Sequence, residues 1–317
     1  HPNLANEYPR GLDAEGNRLP IYYWELPELA NMRLVAAAAA ARIRLAADGG
    51  NMELAADIFR DHAPLAAALT RQATLIEHLV GYAICELLLI EAQFLAASPS
   101  LTAEAHASLQ AGIAALQNLG DPTIAIEGER LGFLDVHNHT HTRSGRFIPS
   151  AYDELMGDLG MDNASFPQID NRTLAKLADI RAYFMISKNR SLRIGDRYYN
   201  SIATAISETD PARRAELLAR SDDEVSTLRS RHGLARLTLP ALGKFVQQWL
   251  TTQRSIRLTQ TMIAMAEYRL DHGQWPDSLD QLVPDYLESI PTDPRTGDPF
   301  EYNHEPGQPP SPERFGV

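Results

Sequence analysis

The stretch "LIEHLVGYAICELLLIEAQFL", residues 75 to 95, is the most apolar part of the chain, and any fold of this sequence has to accommodate it. Its length suits a helix of about six turns. It carries Glu77, His78, Glu86 and Glu91, too many ionisable groups for a span that faces lipid. The expectation is a buried core helix. Cys85, the one cysteine of the chain, lies inside it, where it reads as a small buried hydrophobe; an intrachain disulfide is ruled out.

The neighbouring segments carry helix punctuation. "LPELANMRLVAAAAAARIRLAADGG" has Ala-rich small faces with Arg on the other side and stops at Asp48-Gly49-Gly50. Asn51 caps a second helix, in which Pro64 predicts a kink or a break. The core helix spans about 73 to 97, a fourth helix opens near Thr102 and ends at Gly120, and Asp121-Pro122 starts a fifth. Residues 1 to 24 read as an extended lead-in, and 142 to 170 as a long connection with one short helix around Tyr152 to Leu159. Helices resume after it, one of them opening on Asp210-Pro211, and "LPALGKFVQQWLTTQRSIRLTQTMIAMAEYRLDHG" predicts a helix of about nine turns. The fold class expected is all-α: an irregular helical array over 25 to 250, then a long helix and a small C-terminal clasp over 251 to 317, with little β structure. A strict repeat period is absent, so the array is not read as a regular solenoid.

Charge narrows the partners. The net charge of -12 comes from 41 acidic and 29 basic residues without a Lys/Arg-rich stripe, which disfavours nucleic acid and anionic membrane surfaces. Hydrophobic residues at 44% and a mean hydropathy of -0.27 are those of a soluble globular chain.

The stretch "FLDVHNHTHTRSG", residues 133 to 145, is the one catalytic-looking pattern. His137, His139 and His141 alternate behind Asp135, a spacing that on a strand gathers ligands for a divalent metal such as Zn or Mn. With Thr140, Ser144 and Gly145 it resembles the first motif of the polymerase-and-histidinol-phosphatase phosphoesterases. Later strands would have to return further ligands, and after His141 only His232, His272 and His304 remain. If the fifth helix continues this far, His137 and His141 share one face at i and i+4 and His139 points elsewhere; the imidazoles are then solvated or cap carbonyls. Glu77, Glu86, Glu127 and Glu129 could gather between helices as in di-iron bundles, but Glu77 and His78 are adjacent where that pattern needs Glu-x-x-His, so buried ion pairs with Arg71 or Arg130 are expected instead. P-loop, GxSxG, CxxC and HExxH motifs are absent from the sequence.

From Arg254 the chain runs through the helix ending "AEYRLDHG", the turn Gly273-Gln274-Trp275-Pro276, the segment "SLDQLVPDYL" and the ending "IPTDPRTGDPFEY". Physically, Gly273 stops the helix, Trp275 covers its end, Leu279, Leu282 and Tyr286 form the inward stripe of a short amphipathic helix, and Asp293-Pro294 and Asp298-Pro299 turn the chain around Gly297 towards a last strand. This tail resembles the segment behind the long N-terminal helix of type II secretion major pseudopilins. It departs from them in lying at 254 to 303 and in lacking their Asp/Gly-rich calcium loop. As a whole, a helical body with this clasp is similar to bacterial envelope proteins that carry an N-terminal membrane anchor. The chain opens on His1-Pro2-Asn3 without an initiator Met, so a preceding segment is expected.

The resemblance implies a helical envelope protein on the periplasmic face, a non-enzymatic scaffold or protein-binding module linked to secretion or pilus-like machinery, with a protein partner and no cofactor. The alternatives are a metal-dependent hydrolase using His137, His139 and His141, and a cytoplasmic setting.

Overall fold

The computed structural model describes residues 26–158, 187–228, 233–303, 305 and 308–316. The lead-in over 1 to 24 and the part of the connection beyond 158 lie outside the described residues. Within them the protein is all-α apart from a two-stranded ribbon: α1 (Glu28–Asp48), α2 (Met52–Leu69), α3 (Leu75–Ala96), α4 (Ala103–Gln117), α5 (Pro122–His139), α6 (Pro149–Asp158), α7 (Lys188–Ser207), α8 (Pro211–Ser226), α9 (Gly233–Thr238) and α10 (Leu242–His272), then β1 (Glu301–Tyr302) paired antiparallel with β2 (Phe315–Gly316).

The helix starts follow local chemistry. The side chains of Asn51, Thr102, Asp121 and Asp210 each accept a backbone N–H from the first turn of the helix they precede. Thr74 and Glu77 form a reciprocal capping box at the start of α3. Gly273 ends α10 with φ 74°, a left-handed conformation suited to glycine, and its N–H donates to Arg269 O.

Two cores share α10 as a common wall. The first joins α1 to α4 with the C-terminal half of α10 and the clasp residues Leu279, Leu282, Phe300 and Phe315. Alanines at its contact faces, Ala36 and Ala39 on α1 and Ala55, Ala56, Ala63 and Ala66 on α2, let the helices approach closely. Leu88, Leu89 and Leu95 of α3 are almost fully buried here and contribute about 2 kcal/mol each. The second core gathers α5, α7, α8 and α9 around the N-terminal half of α10, with Tyr82 of α3 reaching in. The long helix begins at Leu242, so it starts inside what the sequence reading assigned to the array.

Three expectations are corrected. Of the kink or break expected at Pro64, the break does not occur: α2 is continuous from Met52 to Leu69, because Ala63, Ala66, Ala67 and Leu69 are buried among α1, α3 and α4 and their packing outweighs the bond proline cannot make. The segment after Ser278 is not an amphipathic α-helix but a single 3-10 turn, Leu279–Leu282, because Pro284 holds Val283 extended. The acidic groups of α3 and α5 do not form buried ion pairs with Arg71 or Arg130. Glu77 caps α3, Glu129 accepts the Leu75 N–H at 3.3 Å, Arg71 donates to Asn118 O, and Glu127 meets Arg130 at 2.7 Å on the surface.

The two cores meet where α5 crosses the joint between α2 and α3. The backbone of Gly128 lies against the Ala73 carbonyl so closely that a Cβ would overlap the oxygen. Replacing Gly128 by Val should therefore cost about 3 kcal/mol, the scale of overpacking a site whose neighbour is backbone and cannot rotate away. Urea unfolding would detect it; a change below about 0.5 kcal/mol would show that the joint gives freely.

Candidate functional site

The histidine cluster lies where α5 ends and a small hairpin begins. His137 and His139 occupy the last turn of α5, and His141 follows it in an isolated bridge with Phe147. Ile148 N donates to Thr140 O, Thr142 N to Arg146 O, and Gly145 turns the tip with φ 85°. The segment is thus a helix end and not a strand, and the alternation of the three imidazoles does not place them on one side.

Instead the i, i+4 pair comes together. The rings of His137 and His141 stack 6.0 Å apart at 8°. Each uses Nδ1 against the carbonyl four residues earlier, His137 to Phe133 O at 2.9 Å and His141 to His137 O at 3.1 Å. A carbonyl oxygen only accepts, so Nδ1 of each ring donates, and in the neutral form of His137 this leaves the lone pair on Nε2. Both rings are buried, and His139 is half-buried on another side of the turn. Burial pushes His137 down to about 4, with His141 and Lys188 adding to the depression against the pull of the Phe133 carbonyl. Its Nε2 is buried and meets no hydrogen-bond partner among the described residues. The carboxylate of Glu127, ten residues earlier and so about 15 Å along the helix, is engaged by Arg130. Among the described residues no three His, Cys, Asp or Glu side chains converge as a metal-holding group.

A second feature was not singled out from the sequence. Ten large apolar side chains are exposed among the described residues, and six of them lie on α1 and α3, which concentrates the outward apolar surface on one pair of neighbouring helices. On α1, Leu34 is 68% and Leu45 72% exposed; on α3, Ile76 and Ile90 are each 53% exposed. Their spacing is regular. Ala30, Leu34, Ala37, Ala41 and Leu45 recur every three or four residues along α1, and Ile76, Leu79, Ala83, Leu87 and Ile90 do so along α3. Both helices are therefore apolar on two faces, one toward the core and one outward, which a surface helix of a globular protein is not.

Between the seams runs a groove of about 560 Å³ whose lining includes Ala30, Arg33, Leu34, Ala37, Ala83 and Leu87. Further along, Arg44 pairs with Glu91 and its guanidinium lies 3.7 Å over the Phe94 ring, tying α1 to α3. Arg33 and Arg42 are exposed and have no ion pair among the described residues. The signal for this face was present in the sequence as heptad-like spacing on both sides of the same helices, and it is visible only once the inward face is known.

Fold and surface together define the class: an all-α protein with two helical cores and an outward two-helix apolar face. Comparison with protein-family models, with curated proteins and with solved structures returns no match.

Proposed function

We propose that the chain is a non-enzymatic scaffold of the bacterial cell envelope that binds a protein partner through the outward face of α1 and α3. The observation that carries the reading is that face: two neighbouring helices with apolar seams directed away from both cores. An apolar patch of this kind on a soluble protein is an interaction surface by default. The envelope setting and the link to secretion machinery rest on the likeness of residues 254 to 303 to pseudopilins, and they require an apolar span upstream of His1 in the gene.

A photo-crosslinking residue placed at Leu34 of the full-length protein in its native host is expected to give a discrete protein adduct, lost when Ile90→Glu is added. The same residue at Arg220, exposed on α8, should give none. Equal labelling at both positions would sink the proposal.

The alternative, a metal-dependent hydrolase using His137, His139 and His141, has one observation on its side, the buried Nε2 lone pair of His137. Metal analysis of protein prepared without an affinity tag is expected to find less than stoichiometric Zn or Mn. A full equivalent of metal that disappears in His139→Ala would replace the scaffold reading with the hydrolase one.

A further inference from the structure

We infer that the groove between α1 and α3 is filled by the chain's own residues 19 to 25, and that they form a strap which the protein partner displaces; the second step rests on the scaffold reading.

Three observations select that occupant. The first is where the chain enters. The described residues start at Leu26, which is half-buried against the first core and turns into α1 with its carbonyl accepting the Leu29 N–H at 3.1 Å. Pro27 disfavours the helical conformation for Leu26, so the chain leaves the axis of α1 there. The groove begins one turn further on, at Ala30, and continues past Arg33 and Leu34 to Ala37, with Ala83 and Leu87 of α3 on its other side. It therefore lies along the N-terminal half of α1, next to the point of entry.

The second is reach. From Leu26 to Ala37 is about 16 Å along the helix, and seven extended residues span about 23 Å. Residues 19 to 25 are long enough to cover the groove by running back along it. A segment of the same chain also meets the groove at an effective concentration of roughly millimolar, which a second copy or a free partner has to overcome.

The third is composition. The stretch "LPIYYWE" gathers Leu19, Ile21, Tyr22, Tyr23 and Trp24 in seven residues, and Pro20 and Pro27 on either side of the aromatics oppose a helix. On the period of two of an extended chain, Tyr22 and Trp24 share one side. The groove suits two such rings: at about 560 Å³ it has the volume of a cleft for a few side chains, with alanines at 30, 37 and 83 between Leu34 and Leu87. Arg33 lines it without an ion pair among the described residues. Its guanidinium is placed to take a ring, as Arg44 takes Phe94 at 3.7 Å and Arg269 takes Trp275 at 4.8 Å.

The test puts the photo-crosslinking residue at Leu34 of the purified full chain. Digestion and mass spectrometry are expected to map the adduct to residues 19 to 25 of the same chain, with a yield that dilution does not change. The same residue at Val35, exposed about 100° round the helix from Leu34, should give no such adduct. Tyr22→Ser with Trp24→Ser should remove the adduct and leave the circular dichroism as it was. In the native host the double variant should raise partner labelling from position 34 about threefold or more, because the open face is populated more often. An adduct that maps elsewhere in the chain, or none at all, overturns the inference. So does an adduct between chains that fades on dilution, which gives the groove to a second copy, and so does Leu34-dependent binding to phosphatidylglycerol vesicles, which gives it to a membrane. Partner labelling that the double variant leaves unchanged overturns the displacement. The two readings fail separately: partner labelling without an adduct to residues 19 to 25 keeps the scaffold and removes the strap, whereas that adduct in a host where neither chain labels a partner removes the scaffold and leaves the segment as a fixed cover.

Discussion

Between pH 7 and pH 4 the fold is expected to lose on the order of 6 kcal/mol through two imidazoles, His78 and His137, at about 3 kcal/mol each. Both rings are completely buried. His78 places Nε2 2.9 Å from Gln72 O and Nδ1 3.5 Å from the Tyr82 hydroxyl, with Phe245 of α10 edge-on to its ring. Burial depresses it to about 4, against the pull of the Gln72 carbonyl and the more distant charge of Asp121. His137 is depressed to about 4 in the same way, between Phe133, His141 and Lys188. The unfolded chain protonates both near 6.5, so between 6.5 and 4 it binds more protons than the folded one. The stability due to these groups is complete above about 6.5, falls as pH drops through that window, and levels off below about 4.

Other groups titrate in part of this range with the opposite sign. Burial raises Glu86, which faces Ser255 and Thr252, and raises Glu129 beside the Leu75 N–H, so both favour the folded state on the acid side. The histidine contribution is isolated by comparing variants: urea unfolding at pH 7.5, 5.5 and 4.5 should give a markedly flatter pH dependence for His78→Gln and for His137→Gln than for the parent. Parallel curves would mean that the imidazoles take up their protons in the folded protein without penalty.

The parts of the structure visible in the sequence are those decided within one turn of chain. Asn51, Thr102, Asp121 and Asp210 mark helix starts, and Gly273 a helix end, because the groups they satisfy are two to four residues away. The Thr74-Glu77 box carries the same signal in "TLIE", which assigns the Glu77 carboxylate to the start of α3. What the sequence does not display is which side of a helix faces another. Pro64 is tolerated because of three neighbouring helices, and no local pattern announces them. The histidines show the same limit. Alternation suggested one strand face, but the helix begun at Asp121-Pro122 runs to His139, and its 3.6-residue period pairs His137 with His141 and turns His139 aside. The face of α1 and α3 was hidden for the complementary reason, since helices apolar all round read as core until the core is found to use only one side.

Replacing Asp293 by Ala is expected to cost about 4 kcal/mol, as breaking a buried ion pair does when its partners remain charged. Its carboxylate is fully buried. Oδ2 accepts from Arg254 Nε of α10 at 2.8 Å and from Arg295 at 2.8 Å, while Oδ1 accepts the Arg295 backbone N–H at 2.7 Å. Its backbone closes the turn as well: the Asp293 N–H donates to Asp298 O, and the Gly297 N–H to Asp293 O. Burial alone would raise this acid, but the two guanidiniums and the backbone donor outweigh it and hold it below the usual carboxylate range. The same turn is gripped from both cores, because Arg214 of α8 donates to Pro294 O at 2.7 Å and Arg257 of α10 to Thr292 O at 2.7 Å. Asp293 therefore fixes the clasp to α10 and, through its turn, to α8. In the alanine variant Arg254 and Arg295 are left as neighbouring cations without their counter-ion, and Phe300, packed under the turn, loses its anchor. Urea unfolding gives the total, and hydrogen exchange should show the Gly297 and Phe300 amides losing protection first. A cycle with Arg254→Ala is expected to give a coupling above 1 kcal/mol, since the two side chains are in contact. A loss under 1 kcal/mol with unchanged exchange in the turn would show that the apolar residues of the clasp hold it to α10 without the charge.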